Sequence, residues 1–520
     1  MEVLERVALI RAHSTVGRIQ VHGLVQEGAR SLLTPDEQEA TAAHARAVLG
    51  AANPGEPDES HNWPRFRELA PHVAAALPDA EERPARLLLL DHVRHLFAVG
   101  DYEGSRTLGA SVSDHWRTRW GPDDELTLLA RRLVANAVRE LGRIAEATEL
   151  DEDTVRRLTE VFGPDHEHTL MAAHGLGADL RALGRFDSAV RLDRDNLDRH
   201  RRRWGDNHGR TLRAAVNLAV DLRLLGDFTG AREIDLDVVR RRREMYGSHD
   251  PRTLFATANL VRDLIGLGEY DEALRIQEDA LPPLRSALGR NHNHVLLATR
   301  NVVVALRGTG RYAQARALGE ENLAACERRL GPHHEYTLAA MMTLCNVLRR
   351  CGELEAAQSL GQRAYSAHME RHADPWHPFT LASATNLALV WRDIGKVELA
   401  YELNRTTLRA SRDRRGDEYP HTLACAVNVA GDLAAMGDHE RASALSATTL
   451  PRMERVLGEQ HPQTLVCAFN LALDRVATGR QDSAEDAVAA LGRRLGARHP
   501  EVVLAAAGRR LACEVEPPPT

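Results

Sequence analysis

The sequence predicts an all-α protein, a right-handed superhelix of about ten stacked helical hairpins. Three observations carry this expectation. One residue pattern returns every 42 positions, three of its columns hold a single residue type in every unit, and the apolar residues between those columns fall at helical spacing. The chain has 520 residues, of which only 4% are aromatic. That suits a core of Leu, Ala and Val renewed every few dozen residues better than one large core.

The repeat is read from Thr127. Offset 0 is held by Thr127, Thr169, Thr211, Thr253, Val295, Thr337, Thr380, Thr422 and Thr464, which begin units 1 to 9; one residue is inserted before Thr380. Offset +1 is leucine from Leu128 to Leu465, offset +15 is glycine from Gly142 to Gly479, and offset +20 is alanine from Ala147 to Ala484. In unit 3, Leu212, Ala215, Leu218, Ala219 and Leu222 mark one face of a first helix. The +15 glycine closes it, because the left-handed C-cap conformation suits Gly best. An aromatic follows in several units (Phe186, Phe228, Tyr270, Tyr312) and can plug the hairpin. A second helix comes next, where the small +20 alanine allows close approach of the pair. It ends at another glycine and a Pro/His turn, as in Gly331-Pro-His-His. Pro282-Pro283 and Pro451 fall inside second helices and predict a kink or early break there. A degenerate hairpin around Gly100-Asp-Tyr precedes the array, and a half unit from His499 to about Cys513 follows it. Spacings of about 8–10 Å between packed helices predict a curved rod.

The first residues differ. Val3–Ile10 reads as a helix, Arg18–Val21 as a short strand in a small ribbon near residues 11–21, and His22–Arg30 as a helix. Thr34-Pro-Asp-Glu37 is a capping box that starts a helix to about Leu49. Gly50–His61 is a Gly/Pro/acid linker. The expected organisation is thus a first segment over 1–33, a helical linker region over 34–84, the repeat array over 85–513, and a disordered tail over 514–520.

The motif G-x-x-H-x-x-T-L, then N-L-A, then L-x-x-x-G-x-[FY]-x-x-A resembles the 42-residue tetratricopeptide (TPR) repeat of kinesin light chains, over about residues 85–513. His22-Gly-Leu-Val-Gln resembles the motif that opens the final helix of the winged-helix module in NB-ARC ATPases, so that 1–33 reads as a small winged-helix remnant. Asn62-Trp-Pro-Arg-Phe is similar to the junction in actinobacterial NB-ARC proteins with tetratricopeptide tails; similar repeat proteins occur in FxSxx-COOH systems. The resemblance implies the C-terminal part of a signalling protein. The motor is missing from it: a P-loop needs Gly-Lys-Ser/Thr, and the only lysine lies in Gly395-Lys396-Val397. No nucleotide is therefore expected through a P-loop.

The candidate site is a column on the first helices. Asn217, Asn259, Asn301, Asn386, Asn428 and Asn470 stand at +6, and Asp221, Asp263, Asp432 and Asp474 at +10, on one helical face with Asp179. In superhelices of the resembled family the first helices line the concave groove. Asn side chains there can both donate to and accept from the backbone of an extended peptide without reading its sequence. Equally, they can bond to neighbouring helices and hold the superhelical pitch. Arginines at +12 (Arg139, Arg181, Arg223, Arg307, Arg349, Arg392) suit an acidic-peptide strip, or more simply pair with acids of the next unit. The turn histidines His166, His208, His292, His334, His377, His461 and His499 lie roughly 10 Å apart in neighbouring units, too far for one metal; packing or capping is expected.

The remaining signals exclude more than they propose. No G-x-S-x-G or H-E-x-x-H motif is present, so no catalytic residue, metal or cofactor is expected. The net charge of −7 counts against nucleic acid. Six cysteines without a C-x-x-C pair read as reduced thiols, and neither a signal peptide nor an apolar span is evident, so the protein is expected in the cytoplasm and not at a membrane. The expected function is a protein- or peptide-binding scaffold in bacterial signalling. The alternatives are a nucleic-acid-binding regulator, or the sensor arm of a split NB-ARC ATPase acting with another chain.

Overall fold

The structure, a computed structural model, describes residues 10–13, 18–76, 80–372, 374–481 and 483–517. Among them 24 α-helices and one two-stranded ribbon form two compact units, residues 1–138 and 139–520.

In the first unit, strand β1 (Ile10–His13) runs antiparallel to β2 (Arg18–Val21), with Ile10 opposite Val21. The helix expected over Val3–Ile10 lies outside the described residues except at Ile10, which is strand. Helix Gly23–Ser31 starts from His22, whose Nδ1 accepts from the Leu24 amide. The next helix, Pro35–Ala51, opens with the expected reciprocal box: Thr34 Oγ1 accepts from the Glu37 amide at 3.4 Å, and the Glu37 carboxylate accepts from the Thr34 amide at 2.9 Å. Helices Trp63–Ala76, Arg83–Ala98 and Tyr102–Trp120 then enclose Phe66, Leu88, Leu89, Val93 and Trp116. The degenerate hairpin is real: Gly100 turns the chain with φ 84° between the last two of these helices.

The second unit holds the array from the turn of its first hairpin onward. All nine +15 glycines have φ between 68° and 88°, the left-handed region that the hairpin turn requires. The +1 leucines are buried throughout, and the +20 alanines are fully buried from Ala147 to Ala442. Unit 3 shows the plan, with first helix Gly209–Leu225 and second helix Phe228–Tyr246. The aromatic that opens a second helix packs forward: Phe228 and Tyr270 lie against Gly266 and Gly308 of the following unit. The last second helix is short, Glu485–Leu495, and Ala484 stands before it as N-cap.

The break expected at the prolines does not occur. Helix Tyr270–Leu288 runs on through Pro282 and Pro283, and His439–Val456 through Pro451. Each proline removes one donor from the carbonyl four residues back. Those carbonyls belong to Glu278, Asp279 and Ala447, all exposed residues, where solvent is within reach of a carbonyl that lacks its donor.

The expected curved rod is wound into a coil in which distant repeats meet. The turns of units 2 to 5 meet the starts of the units five further on. His377 Nε2 lies 3.1 Å from Ala182 O, His461 Nε2 3.2 Å from Gly266 O, and His499 Nε2 3.2 Å from Gly308 O. Pro378, Pro420, Pro462 and Pro500 sit against Gly184, Gly226, Gly268 and Gly310. The array therefore coils so tightly that successive superhelical turns touch, and the glycines, lacking Cβ, leave room for that contact.

The expected disorder of 514–520 does not hold for residues 514–517. Leu511, Cys513 and Val515 belong to the same apolar core as the helices and are 3%, 1% and 2% exposed. Residues 518–520 lie outside the described residues. The chain end stays because its backbone finds partners, as follows.

Candidate peptide-binding groove

After the half-unit helix Pro500–Ala506 the described residues, to 517, carry no helix, and they run back across the first helices from unit 9 towards unit 5. Three asparagines of the +6 column hold its backbone. Asn470 donates to Leu511 O at 2.9 Å and accepts from Leu511 N at 3.1 Å. Asn428 does the same to Cys513 at 2.7 and 3.0 Å, and Asn386 to Val515 at 2.8 and 3.0 Å. Each side-chain amide thus exchanges both bonds with one residue, as a neighbouring antiparallel strand does. Two residues of extended chain advance about 6.6 Å, and here they match one repeat. Gln463 donates to Glu514 O at 2.9 Å, so an intervening carbonyl is served as well.

The side chains at the alternate positions face arginines. Glu514 pairs with Arg307 at 2.9 Å, Arg349 at 2.5 Å and Arg350 at 2.6 Å. Glu516 pairs with Arg300 at 2.8 Å and with Arg307, and accepts from Thr343 Oγ1 and Asn346 Nδ2, each at 2.9 Å. Thr343 stands at +6 in unit 6, so the one break in the asparagine column between units 3 and 9 falls where the grip passes from backbone to side chain. Burial opposes ionisation of Glu514, yet Arg307, Arg350 and Arg349 hold its carboxyl well below the usual range. Glu516 is likewise held down by Arg307 and Arg300 against its burial.

The other predicted residues, Asn259 apart, have partners inside the array. Asn301 donates to Ala258 O at 3.0 Å and Gln277 Oε1 at 3.1 Å, both in the preceding unit. Asn217 Nδ2 meets His174 Nδ1 at 3.0 Å. Asn259 is buried, and its amide has no protein partner. The +10 aspartates take the +12 arginines. Arg181 bridges Asp193 at 2.7 Å and Asp221 at 2.9 Å, and Arg223 bridges Asp235 at 2.7 Å and Asp263 at 2.6 Å. Arg139 likewise joins Asp151 and Asp179. Each guanidinium is shared by the second helix of its own unit and the first helix of the next. With two buried carboxylates to one cation, burial wins at Asp221 and pushes its carboxyl up to about 8. Arg392 donates to Asp432 at 3.0 Å, and Asp474 receives Arg510 and His439.

The turn histidines are N-caps. The Nδ1 of His166, His208, His292, His334, His377, His461 and His499 accepts from the amide two residues on, at 3.1–3.3 Å. In the last three Nε2 faces a carbonyl, which fixes the neutral Nε2–H tautomer. All six cysteines are free.

Sequence reasoning missed the occupant, Glu514 and Glu516, and with them Arg300 and Arg350. A signal was present: beside Arg307 and Arg349 the acidic columns lapse, +10 becoming Val347 and Val390 and +24 becoming Gly319 and Gly361.

A coil of helical hairpins whose inner helices clasp an extended chain defines a repeat protein of the binding-scaffold class. The chain belongs to the tetratricopeptide repeat family: the family's model matches residues 133–202, 210–285, 294–370 and 422–489, more than half of the sequence. Among solved structures, a Rap protein complexed with Competence and Sporulation Factor is 11% identical with a TM-score of 0.52, over 71% of this chain and 98% of that one. The apo form of the quorum sensor NprR from B. thuringiensis is 14% identical, TM-score 0.48, over 70% and 97%. The nearly identical kinesin-light-chain TPR-like repeats from Podosopora anserina are 22% identical, TM-score 0.33, over 39% and 95%. These likenesses concern the fold. No curated protein matches the chain significantly. Among the described residues no helix is long and apolar enough to cross a membrane, and no three of His, Cys, Asp and Glu assemble as metal ligands.

Proposed function

We propose that this chain is a cytoplasmic, non-catalytic scaffold of bacterial signalling that holds an extended segment of another protein or peptide in the groove lined by its first helices. One observation carries the reading: Asn386, Asn428 and Asn470 each exchange two hydrogen bonds, one donated and one accepted, with the backbone of one of three alternate residues of an extended chain. Backbone recognition of this kind is independent of sequence and indifferent to whether the chain belongs to the same molecule. The Rap protein, solved with a bound factor, shares the fold, which makes such an occupant sterically reasonable. The likeness of residues 1–33 to the end of a winged-helix module belongs to the same reading, with the array as the partner-sensing arm.

The test is selection from a display library of random peptides on the full-length protein. Selected peptides are expected to protect the first helices of units 7 to 9 from hydrogen exchange and to lose affinity in Asn386→Ala/Asn428→Ala. Binding that persists in this variant, or protection elsewhere, would refute the reading.

A further inference from the structure

We propose that the groove selects extended chains carrying two acids at alternate positions, and that residues 511–517 are a built-in stand-in that such a chain displaces. The proposal rests on the reading of the groove as a chain-binding site and adds what it selects and how it is regulated.

The argument begins with the arginine column. In units 1 to 3 the +12 arginine is neutralised within the array, by the +24 aspartate of its own unit and the +10 aspartate of the next. In units 5 and 6 the arginines persist as Arg307 and Arg349, but those acids are replaced by Gly319, Val347, Gly361 and Val390. Two more cations, the buried Arg300 and the half-buried Arg350, stand beside them. Apart from Asp393 on Arg349 and Glu501 on Arg350, the carboxylates that meet these four come from Glu514 and Glu516. Leaving these arginines without an acid is strongly unfavourable, so this part of the groove favours acids in whatever lies in it. In an extended chain residues two apart share a face. That places Glu514 and Glu516 together on the arginines while Cys513 and Val515 turn to the core.

The stand-in does not use every cation. Arg262 lines the same cavity, of about 90 Å³, as Glu514 and Glu516, and its Nε and Nη2 have no protein partner. It is 8% exposed, and burial, ahead of the Arg223 charge, lowers it to about 10. An incoming chain with a further acid gains a contact that the tail lacks, which offsets the tail's advantage of being tethered.

The test uses the full-length protein with Glu514→Gln and Glu516→Gln, and two synthetic peptides, one copying residues 509–517 and one with both glutamates replaced by glutamine. Anisotropy titration should show saturable binding of the first peptide, about tenfold or more tighter than the second. Arg307→Gln should abolish that difference. In the wild-type protein the first peptide should bind more weakly and should expose Cys513 to alkylation as it displaces the tail. Equal binding of the two peptides overturns acid selection while the groove reading survives. A preference for glutamate that is untouched by Asn428→Ala overturns the groove reading instead. No binding of either peptide, with Cys513 always protected and helicity unchanged, overturns both and leaves the tail a fixed part of the core.

Discussion

Asn428 and Cys513 stand 85 residues apart and exchange two hydrogen bonds, the asparagine amide donating to the cysteine carbonyl and accepting from its N–H. Removing that amide separates grip from fold, because among the described residues Asn428 makes no other hydrogen bond through its side chain. Each bond is worth about 0.5–1.5 kcal/mol net. Asn428→Ala should therefore weaken docking of residues 511–517 by about 1–3 kcal/mol, or roughly five- to 150-fold. Hydrogen exchange at the Cys513 amide should accelerate accordingly. Unaltered protection at that amide would show that burial alone holds the segment.

The arginine ladder should be the stability element of units 1 to 4. Arg223→Met leaves Asp235 and Asp263 buried without their cation and should cost about 3–5 kcal/mol. Arg240→Ala breaks an exposed pair with Asp237 and should cost under about 1 kcal/mol. Thermal melting of the two variants side by side decides the matter; similar losses would mean that the ladder contributes no more than a surface pair.

Contact between units five apart can be isolated with two glycines. Gly226 and Gly437 both have positive φ, 88° and 85°. A Cβ at Gly226 would lie 2.4 Å from Pro420 Cγ, whereas one at Gly437 meets nothing within 4 Å. Gly437→Ala should cost the left-handed strain alone, about 1–2 kcal/mol, and Gly226→Ala clearly more. Equal melting temperatures would mean that the superhelical turns do not touch in solution.

Acid should loosen those contacts before it releases the tail. Burial, ahead of neighbouring charge, depresses His377 to about 3 and His461 to about 4, from 6.5. A histidine depressed in the fold contributes stability that is complete above the unfolded value of 6.5 and is lost as pH falls from there towards the folded value. Glu514 and Glu516, also depressed in the fold, contribute fully above 4.5 and lose that contribution only below it. Between pH 6.5 and 4.5, His461→Asn, which keeps a capping acceptor, should lose less stability than the wild type on acidification. Parallel melting curves for the two proteins over that range would sink the prediction.

The sequence by itself determined the helical hairpin and its register. The +15 glycines, +20 alanines and +1 leucines serve turns and packing within a unit or between neighbours, and such local demands leave a residue-by-residue trace. The histidine caps were legible for the same reason. The placement of Asn386, Asn428 and Asn470 on one face followed from helical periodicity. What only the tertiary structure decided depends on contacts far apart in sequence. Whether an asparagine meets a helix, as Asn301 does, or an extended chain, as Asn428 does, is set by what the coil brings across it. The coil's tightness comes from small rotations accumulated over five repeats, and the return of residues 511–517 comes from Arg307 and Arg349, two buried arginines whose column acids are missing, with Arg300 and Arg350 beside them. Neither is encoded at a single position. The first is a sum over many interfaces, and the second is a charge imbalance that becomes costly only once folding has removed the water.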